Sequence, residues 1–413
     1  MTAVKQLVPK NLTLDRGIYL LLVSTIFFLP LQPIVAVGTL ILGFILSMVD
    51  AFQQRKLGFD LSLPPKIKYP LLALFFLSAF SVLWSQDRVA SLYNWFYVVG
   101  QDAVIFYLML RYASKGHRVL FIMKMFLISA ALVAADGIWQ YLFSNDLQNV
   151  EWLDHRAFPE LTKRAYATLE NPNILGSFLV LAGSYCVGIF APLRGGKTRI
   201  ALIFIFLLST TCLLLTYSRG NWVAFFWVLF VFAAFFYHKA LLPFIGGGLG
   251  VLYLGWDMLA NRLLSIFNFQ DTSAELRIAY VESALAMIKE QPWGVGWYGY
   301  QFAFPDYDFY LEDPSFIMYH CHNWFLNVAA ELGVIGLALL LYLLWQFFLL
   351  AKAIRNKKTK PWMRGIACGY IASLVGLAIS GLTDYTLFNL QLGMLFWVGN
   401  ATLLIINRKS LED

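Results

Sequence analysis

Charged residues are scarce in this chain. Only 13% of its 413 residues are Asp, Glu, Lys or Arg, whereas 60% are hydrophobic and 17% are aromatic. Soluble domains carry about 25% charged residues, so this chain has too little charge to cover the surface of a water-soluble globule. In a membrane protein, the formal net charge of +7 has to be divided between the two sides of the bilayer. We therefore predict an integral membrane protein that does not bind nucleic acid.

Cysteine is also scarce, and its spacing excludes two common kinds of site. The chain has four cysteines, which lie in or beside apolar runs: Cys186, Cys212, Cys321 and Cys368. They lack the short, paired spacing of a metal site, and small buried thiols are the better interpretation. The sequence also lacks a phosphate-binding loop. We expect no disulfide framework and no cofactor.

Apolar runs of roughly 15 to 25 residues are abundant, which is typical of membrane-spanning helices rather than of short barrel strands. We predict a single polytopic, all-α domain over residues 1–413. Its twelve expected spans are 17–30, 33–52, 69–84, 92–112, 119–143, 172–193, 200–217, 222–237, 241–258, 322–350, 365–380 and 386–406.

The distribution of lysine and arginine predicts the orientation of these spans. Most of the 31 cations fall at the termini and on alternate loops, which the positive-inside rule places in the cytoplasm. Both termini should then be cytoplasmic. Two long loops, 144–171 and 257–321, should be extracytoplasmic, the second between spans nine and ten. Apolar residues at helical spacing within the second loop predict an amphipathic helix near 273–290.

The cations on the predicted outer side are candidates for binding, because the positive-inside rule disfavours them there. Arg219 lies in a tight turn, Arg277 lies on the loop helix, and Arg164 precedes Asn173 at the entry to a span. A guanidinium binds phosphate through two parallel hydrogen bonds and keeps its charge, so converging arginines suit a diphosphate. Snorkelling to lipid headgroups, or pairing with local acids, is the alternative.

His322 stands at the predicted outer end of a span, and imidazole is suited to proton abstraction near neutral pH. Asn323 and Asn327 follow on one helix face and suit a supporting role in orienting a sugar or the ring. Asp384, at another outer helix junction, is either a further supporting residue or a helix cap. A structural, hydrogen-bonded histidine is the alternative for His322, and His320 is a weaker candidate.

Acidic residues offer two further candidates, both ranked below the arginines. The Asp306-Tyr307-Asp308 pattern, with Glu312 and Asp313 behind it, would suit a divalent cation, but a solvated acidic loop is the preferred interpretation. We therefore predict no metal. Carboxyl groups within spans are functional hypotheses by default, or else are solvated or paired; they are Asp102, Asp136 and Glu331.

Several of these pieces together resemble the O-antigen ligase and polymerase superfamily of bacterial envelope glycosyltransferases. The resemblance covers roughly residues 164–340. It consists of Arg164 with Asn171-Pro172-Asn173, then Thr216-Tyr217-Ser218-Arg219-Gly220-Asn221-Trp222, then Arg277 with Pro292-Trp293-Gly294-Val295-Gly296, and finally His322-Asn323-Trp324-Phe325-Leu326-Asn327 leading into Ala330-Glu331-Leu332-Gly333.

The resemblance implies a GT-C-like bundle of twelve helices with a large, partly helical outer loop. It implies metal-independent, inverting transfer of a glycan from undecaprenyl diphosphate to an acceptor hydroxyl on a glycan, lipid or protein. The reaction would occur at the outer face of the bacterial cytoplasmic membrane. Arg219 and Arg277 would bind the diphosphate and His322 would activate the acceptor. A transporter, of bicarbonate or as a glycolipid flippase, is the alternative function.

Overall fold

The computed structural model describes residues 14–53, 63–114, 117–144, 163–193, 195–240, 242, 245–246, 272–308 and 318–412. Over these ranges the chain is helical and forms no strand. Its helices are α1 (Leu14–Phe28), α2 (Pro33–Gln53), α3 (Pro65–Ser81), α4 (Arg88–Trp95), α5 (Gln101–Tyr112), α6 (Arg118–Phe143), α7 (Pro172–Phe190), α8 (Lys197–Leu215), α9 (Arg219–Phe235), α10 (Thr272–Glu290), α11 (Tyr300–Ala303), α12 (Trp324–Asn356), α13 (Pro361–Ser380) and α14 (Leu390–Glu412).

Eight of these helices are long and apolar enough to cross a membrane, namely α2, α3 with its 3-10 extension, α6, α7, α8, α12, α13 and α14. The prediction of an all-helical, multi-pass membrane protein is confirmed. The predicted span 92–112 consists of two helices. The first, α4, begins before the predicted start and is joined to α5 by a π-helical turn at Phe96–Gly100. Most of the predicted ninth span, 241–258, lies outside the described residues, so the number twelve stays a prediction.

The bundle is centred on α7 and α13, which pack against each other. Helix α13 also packs on α9 and α12, while α14 packs on α5 and α12 packs on α3. The outer helices present large apolar side chains away from the bundle, among them Ile41, Phe76 and Phe204, which are at least half exposed. Such a surface suits hydrocarbon rather than water. All four cysteines are buried, free thiols.

Helix α12 is interrupted at Gly333, where φ is 73° and ψ is 177°. This break frees backbone groups that a regular helix would use internally. The loop after α10 forms hydrogen bonds with these freed groups. Val295 N–H donates to the Ala330 carbonyl at 2.8 Å, and Gly296 N–H donates to the Glu331 carbonyl at 3.0 Å. In return, Val334 N–H donates to the Pro292 carbonyl at 3.0 Å. The loop is therefore docked into the helix by main-chain hydrogen bonds.

Side chains fasten the same loop on both sides. The buried carboxylate of Glu331 accepts hydrogen bonds from the backbone amides of Tyr298 and Tyr300. Across the loop, the Trp297 backbone N–H donates to Ser81 Oγ at 3.0 Å, and the Trp297 indole N–H donates to Asn94 Oδ1 at 2.9 Å. The intramembrane carboxyl of Glu331 thus has a structural use, as a clamp between α12 and the loop.

Replacing Gly333 by alanine should destabilise the protein. Its backbone lies in a region open almost only to glycine, which costs another residue about 1–3 kcal/mol. An added Cβ would also lie 2.5 Å from the Pro292 carbonyl oxygen. We expect a lower thermal unfolding midpoint in detergent for Gly333→Ala. The matched control is Gly38→Ala, at an exposed helical site with no atom within 4 Å of the added Cβ, which should not lower the midpoint. Equal midpoints for the two variants would contradict this account of the break.

Candidate functional site

The candidate site is built around the turn that precedes α12. Asn323 caps this helix, its side-chain oxygen accepting from the N–H groups of Phe325 and Leu326, both at 3.1 Å. His322 therefore lies before the helix, not at its first residue as predicted. Its φ of 51° is in the left-handed region, which is uncommon for a residue other than glycine. The turn therefore places the imidazole outside the helix, before its N-cap.

Polar contacts with the backbone stabilise this strained turn. Asn327, one helical turn along α12, is fully buried and accepts a hydrogen bond from the Cys321 backbone N–H at 3.0 Å. The Asn323 side-chain amide donates to the Leu382 carbonyl at 3.3 Å. Both asparagines thus bind the protein's own backbone, so they support the position of His322.

The His322 imidazole meets three other side chains. Its Nδ1 lies 3.4 Å from Asp384 Oδ1, an electrostatic contact longer than an ideal hydrogen bond. The Tyr280 ring from α10 is stacked against it with ring centroids 5.8 Å apart. His320 approaches edge-on with centroids 4.4 Å apart. The site thus combines residues from the large predicted loop with residues from the α13–α14 connection.

Asp384 does not cap the helix that follows it. The cap of α14 is formed by Asn389, whose side-chain oxygen accepts from the N–H groups of Gln391 and Leu392 at 3.1 and 3.3 Å. The Asp384 carboxylate instead faces His322 and accepts from the Tyr385 backbone N–H at 2.8 Å. The interpretation of Asp384 as a helix cap was wrong, because a second polar residue five positions later performs that task.

The electrostatics of this cluster favour a charged carboxylate beside one neutral imidazole. Burial acts to raise the pKa of Asp384, but contacts with His322 and His320 outweigh it and lower that pKa to about 2. Burial, together with the proximity of His322, lowers the pKa of His320 to about 3. His320 is stacked on the Tyr385 ring with centroids 4.9 Å apart. We interpret His320 as an uncharged residue that borders the site.

The predicted residues Arg164 and Asn173 belong to a second, adjoining network. The Arg164 guanidinium donates to the Thr216 carbonyl at 2.8 Å and to Asn173 Oδ1 at 3.0 Å. Asn173 Oδ1 also accepts from Ser218 Oγ at 2.9 Å. The side-chain amide of Asn221 donates to Ser218 Oγ and to the Asn173 carbonyl, both at 2.9 Å. These bonds tie the first turn of α7 to the first turn of α9.

Arg219 and Arg277 reach the histidine cluster through neighbouring residues. Arg219 is followed by Gly220, which packs so closely on the Thr383 hydroxyl that it leaves no room for a methyl group. Thr383 in turn precedes Asp384. Arg277 lies one turn before Tyr280 on α10 and acts electrostatically on it, and Tyr280 stacks on His322. Both arginines are partly exposed.

Three helices begin at this site in the same unusual way. Each has a residue with positive φ directly before its cap: Glu170 (59°) before α7, Tyr217 (50°) before α9 and His322 (51°) before α12. A helix N-terminus carries a partial positive charge from its unsatisfied N–H groups. Three such ends next to arginines make this part of the molecule suitable for an anion.

Three side chains of the cluster are of types that ligate metals. Among the described residues, His320, His322 and Asp384 have potential ligand atoms within 4.8 Å of one another. The Asp306-Asp308 pattern does not take part in this group, and Glu312 and Asp313 lie outside the described residues. Two imidazoles and a carboxylate would suit zinc, so metal dependence is a matter for experiment.

The sequence does not single out three residues of this site, and it ranks a fourth, His320, as a weaker candidate. Tyr280 was seen only as one apolar position of a helix, and Ser218 and Asn221 only as parts of a motif. His320 was rated low because sequence spacing does not show that its ring lies against that of His322. The available signal was Ser218 itself, because serine is a preferred residue at a helix N-cap.

The fold and the site define a helical, multi-pass membrane protein with an ionisable cluster beside several helix N-termini. Residues 204–341 match the family model described as Wzy_C, O-Antigen ligase. The match confirms the resemblance to the O-antigen ligase and polymerase superfamily and supports glycan transfer as the general activity. It includes Arg219, Arg277 and His322, while Arg164, Asn173 and Asp384 lie outside it. A search of curated proteins found no match.

The neutral state of His320 should make the protein less stable in acid. An unfolded histidine has a pKa of about 6.5, whereas that of folded His320 is about 3. Between these values the unfolded chain binds more protons, so stability falls as pH decreases from about 6.5. His320→Gln should reduce the loss of thermal midpoint between pH 6.5 and 4.5, whereas the exposed-site control His117→Gln should keep it. An identical pH dependence in all three proteins would show that folding does not keep His320 neutral.

Proposed function

We propose that the protein is a metal-independent, inverting glycosyltransferase of the O-antigen ligase or polymerase type. It moves a glycan from undecaprenyl diphosphate to an acceptor hydroxyl on a glycan, a lipid or a protein. The observation that carries the proposal is the His322–Asp384 pair, which lies beside the arginine-bearing starts of α7 and α9. A proton acceptor next to an anion site is what this transfer requires.

His322 acts as the general base in this proposal. With Nδ1–H directed at Asp384, we assign the lone pair to Nε2, and Asp384 orients the ring and stabilises its protonated form. The acceptor oxygen attacks the anomeric carbon as its proton passes to Nε2. The bond from that carbon to the diphosphate oxygen breaks with inversion, and the diphosphate leaves with the bonding electron pair.

The leaving diphosphate gains negative charge in the transition state. We propose that Arg219 and Arg277 bind it and that fixed guanidinium groups stabilise this charge better than mobile water does. Two groups of the Arg164 guanidinium are already bound to Thr216 and Asn173. Arg164 therefore contributes positive potential and holds the turn that carries Arg219. The N-termini of the three helices add to the same field.

The location of the reaction follows from the charge distribution of the sequence. With both termini in the cytoplasm of a bacterium, loops 144–171 and 257–321 lie outside, and so does the site. The proposal covers glycan, lipid and protein acceptors, because donor chemistry is common to all three.

The central test is reconstitution with an undecaprenyl-diphosphate-linked glycan and separate candidate acceptors. Wild-type protein should transfer the glycan in the presence of EDTA, and His322→Ala should lose transfer because no base remains at the acceptor. His117→Ala, which changes an exposed histidine, should stay active. Wild-type turnover by His322→Ala would refute the base. Loss of wild-type activity in EDTA, restored by zinc, would instead make His320, His322 and Asp384 metal ligands.

The diphosphate role of the arginines predicts that lysine cannot replace them. An ammonium group keeps the charge but cannot form the two parallel hydrogen bonds of a guanidinium. Arg219→Lys and Arg277→Lys should each lower kcat/KM by about tenfold or more, corresponding to at least about 1.4 kcal/mol of transition-state stabilisation.

The matched control is Arg88→Lys, at the exposed first residue of α4. It should retain wild-type kcat/KM in the same assay, with all three variants inserted in the membrane at equal levels. Full activity of both site variants would remove the diphosphate role.

A further inference from the structure

A cavity of about 710 Å³ lies within the bundle, between α2, α3, α5, α12 and α14. We call it the apolar chamber. Its lining is almost entirely aliphatic and aromatic, with contributions such as Phe75, Val98, Leu332 and Leu340. Its volume is in the range of about 300–1,000 Å³ that is typical of ligand pockets. No residue of the histidine cluster or of the anion site lines the chamber.

The polar groups of the lining are engaged within the protein and have little to offer water. Ser78 Oγ donates to the Phe75 carbonyl at 2.8 Å and accepts from the Trp95 indole at 3.0 Å. Tyr107 OH accepts from Arg111 at 3.2 Å. A buried water needs two to four polar partners. The chamber therefore suits a hydrocarbon occupant.

Two more polar side chains of the lining are also engaged within the protein. Asp102 is hydrogen-bonded to the Trp397 side chain, and the Trp297 indole donates to Asn94 at 2.9 Å. Lys68, which also lines the chamber, is exposed. The intramembrane carboxyl of Asp102 is thus held by a tryptophan of α14, which gives it a structural partner.

One wall of the apolar chamber lies next to the histidine cluster. Trp297 and Phe388 both line the chamber, and their ring centroids are 5.8 Å apart. Phe388 stacks on Tyr385 at 4.6 Å, and Tyr385 stacks on His320 at 4.9 Å. Since His320 contacts His322, a series of ring contacts runs from the chamber to the candidate base. A lipid whose head lies at His322 would have this chamber next to its tail.

We infer that the apolar chamber binds the part of the polyprenyl tail nearest the diphosphate of the glycan donor. This inference rests on the proposed function. The tail is chosen because a lipid-linked donor is common to every form of that reaction, whereas only one acceptor class is a lipid. Its unsaturated, branched hydrocarbon offers methyl groups and no polar atoms, in agreement with the lining.

The test fills the chamber from two walls. Leu340→Trp and Ala103→Phe add bulk to residues that line it, and Leu341→Trp is the matched control, because that neighbouring leucine is 44% exposed. We expect both filling variants to raise KM for the undecaprenyl-linked donor by about tenfold with kcat unchanged, as for lost uniform binding. A donor analogue with a methyl group in place of the polyprenyl tail should be used equally well by all four proteins.

A second measurement does not depend on activity. Native mass spectrometry in detergent should show undecaprenyl phosphate retained by wild type and by Leu341→Trp, and lost from Leu340→Trp and Ala103→Phe. Equal retention by all four proteins would overturn the inference, and so would competition by phosphatidylglycerol at the same concentration, which would indicate a general acyl-chain site. If no donor is turned over but retention follows the expected order, the proposed reaction fails while the chamber assignment stands. Two wall positions are tested so that poor folding of one variant does not remove the comparison.

Discussion

The break in α12 at Gly333 is the constraint on which much of the remaining structure depends. It exposes the carbonyls of Ala330 and Glu331 to the loop that follows α10, and so fixes α10 against the same helix whose N-terminal end carries His322. Tyr280 can stack on His322 only because α10 is held in this place. A regular α12 would have kept these carbonyls in its own ladder, and the loop would have had no main-chain partner.

A second constraint is the scarcity of charge. In a protein that is mostly apolar, each ionisable group must be paired, hydrogen-bonded or placed at the surface of the membrane. Asp384 has His322, Arg164 has Thr216 and Asn173, and Glu331 has two backbone amides. The groups that stay partly exposed, Arg219 and Arg277, are those that the proposed reaction assigns to the diphosphate.

The helical class and the region of the site could be predicted from the sequence because both depend on local patterns. Apolar runs mark α7 or α13 directly, and the Ser218-Arg219 turn is a local feature. The partner of His322 was underrated because Asp384 is far away in the chain, and only the packing of α12 on α13 brings it near. For the same reason, the sequence leaves Asp102 and Glu331 as functional hypotheses ranked below the arginines, and only the structure gives their hydrogen bonds to Trp397 and to loop amides.

Helix α12 also links the two halves of the proposed reaction. Its N-terminal end holds the imidazole, and Val328, Leu332 and Leu340 on the same helix line the apolar chamber. A lipid-linked donor has a strongly hydrated, charged head joined to a tail that only hydrocarbon accepts, so its reacting carbon lies at the boundary between two environments. Helix α12 borders both environments, and main-chain hydrogen bonds to the loop hold its break at Gly333 in place. The distance between the two environments is therefore fixed, which positions the anomeric carbon.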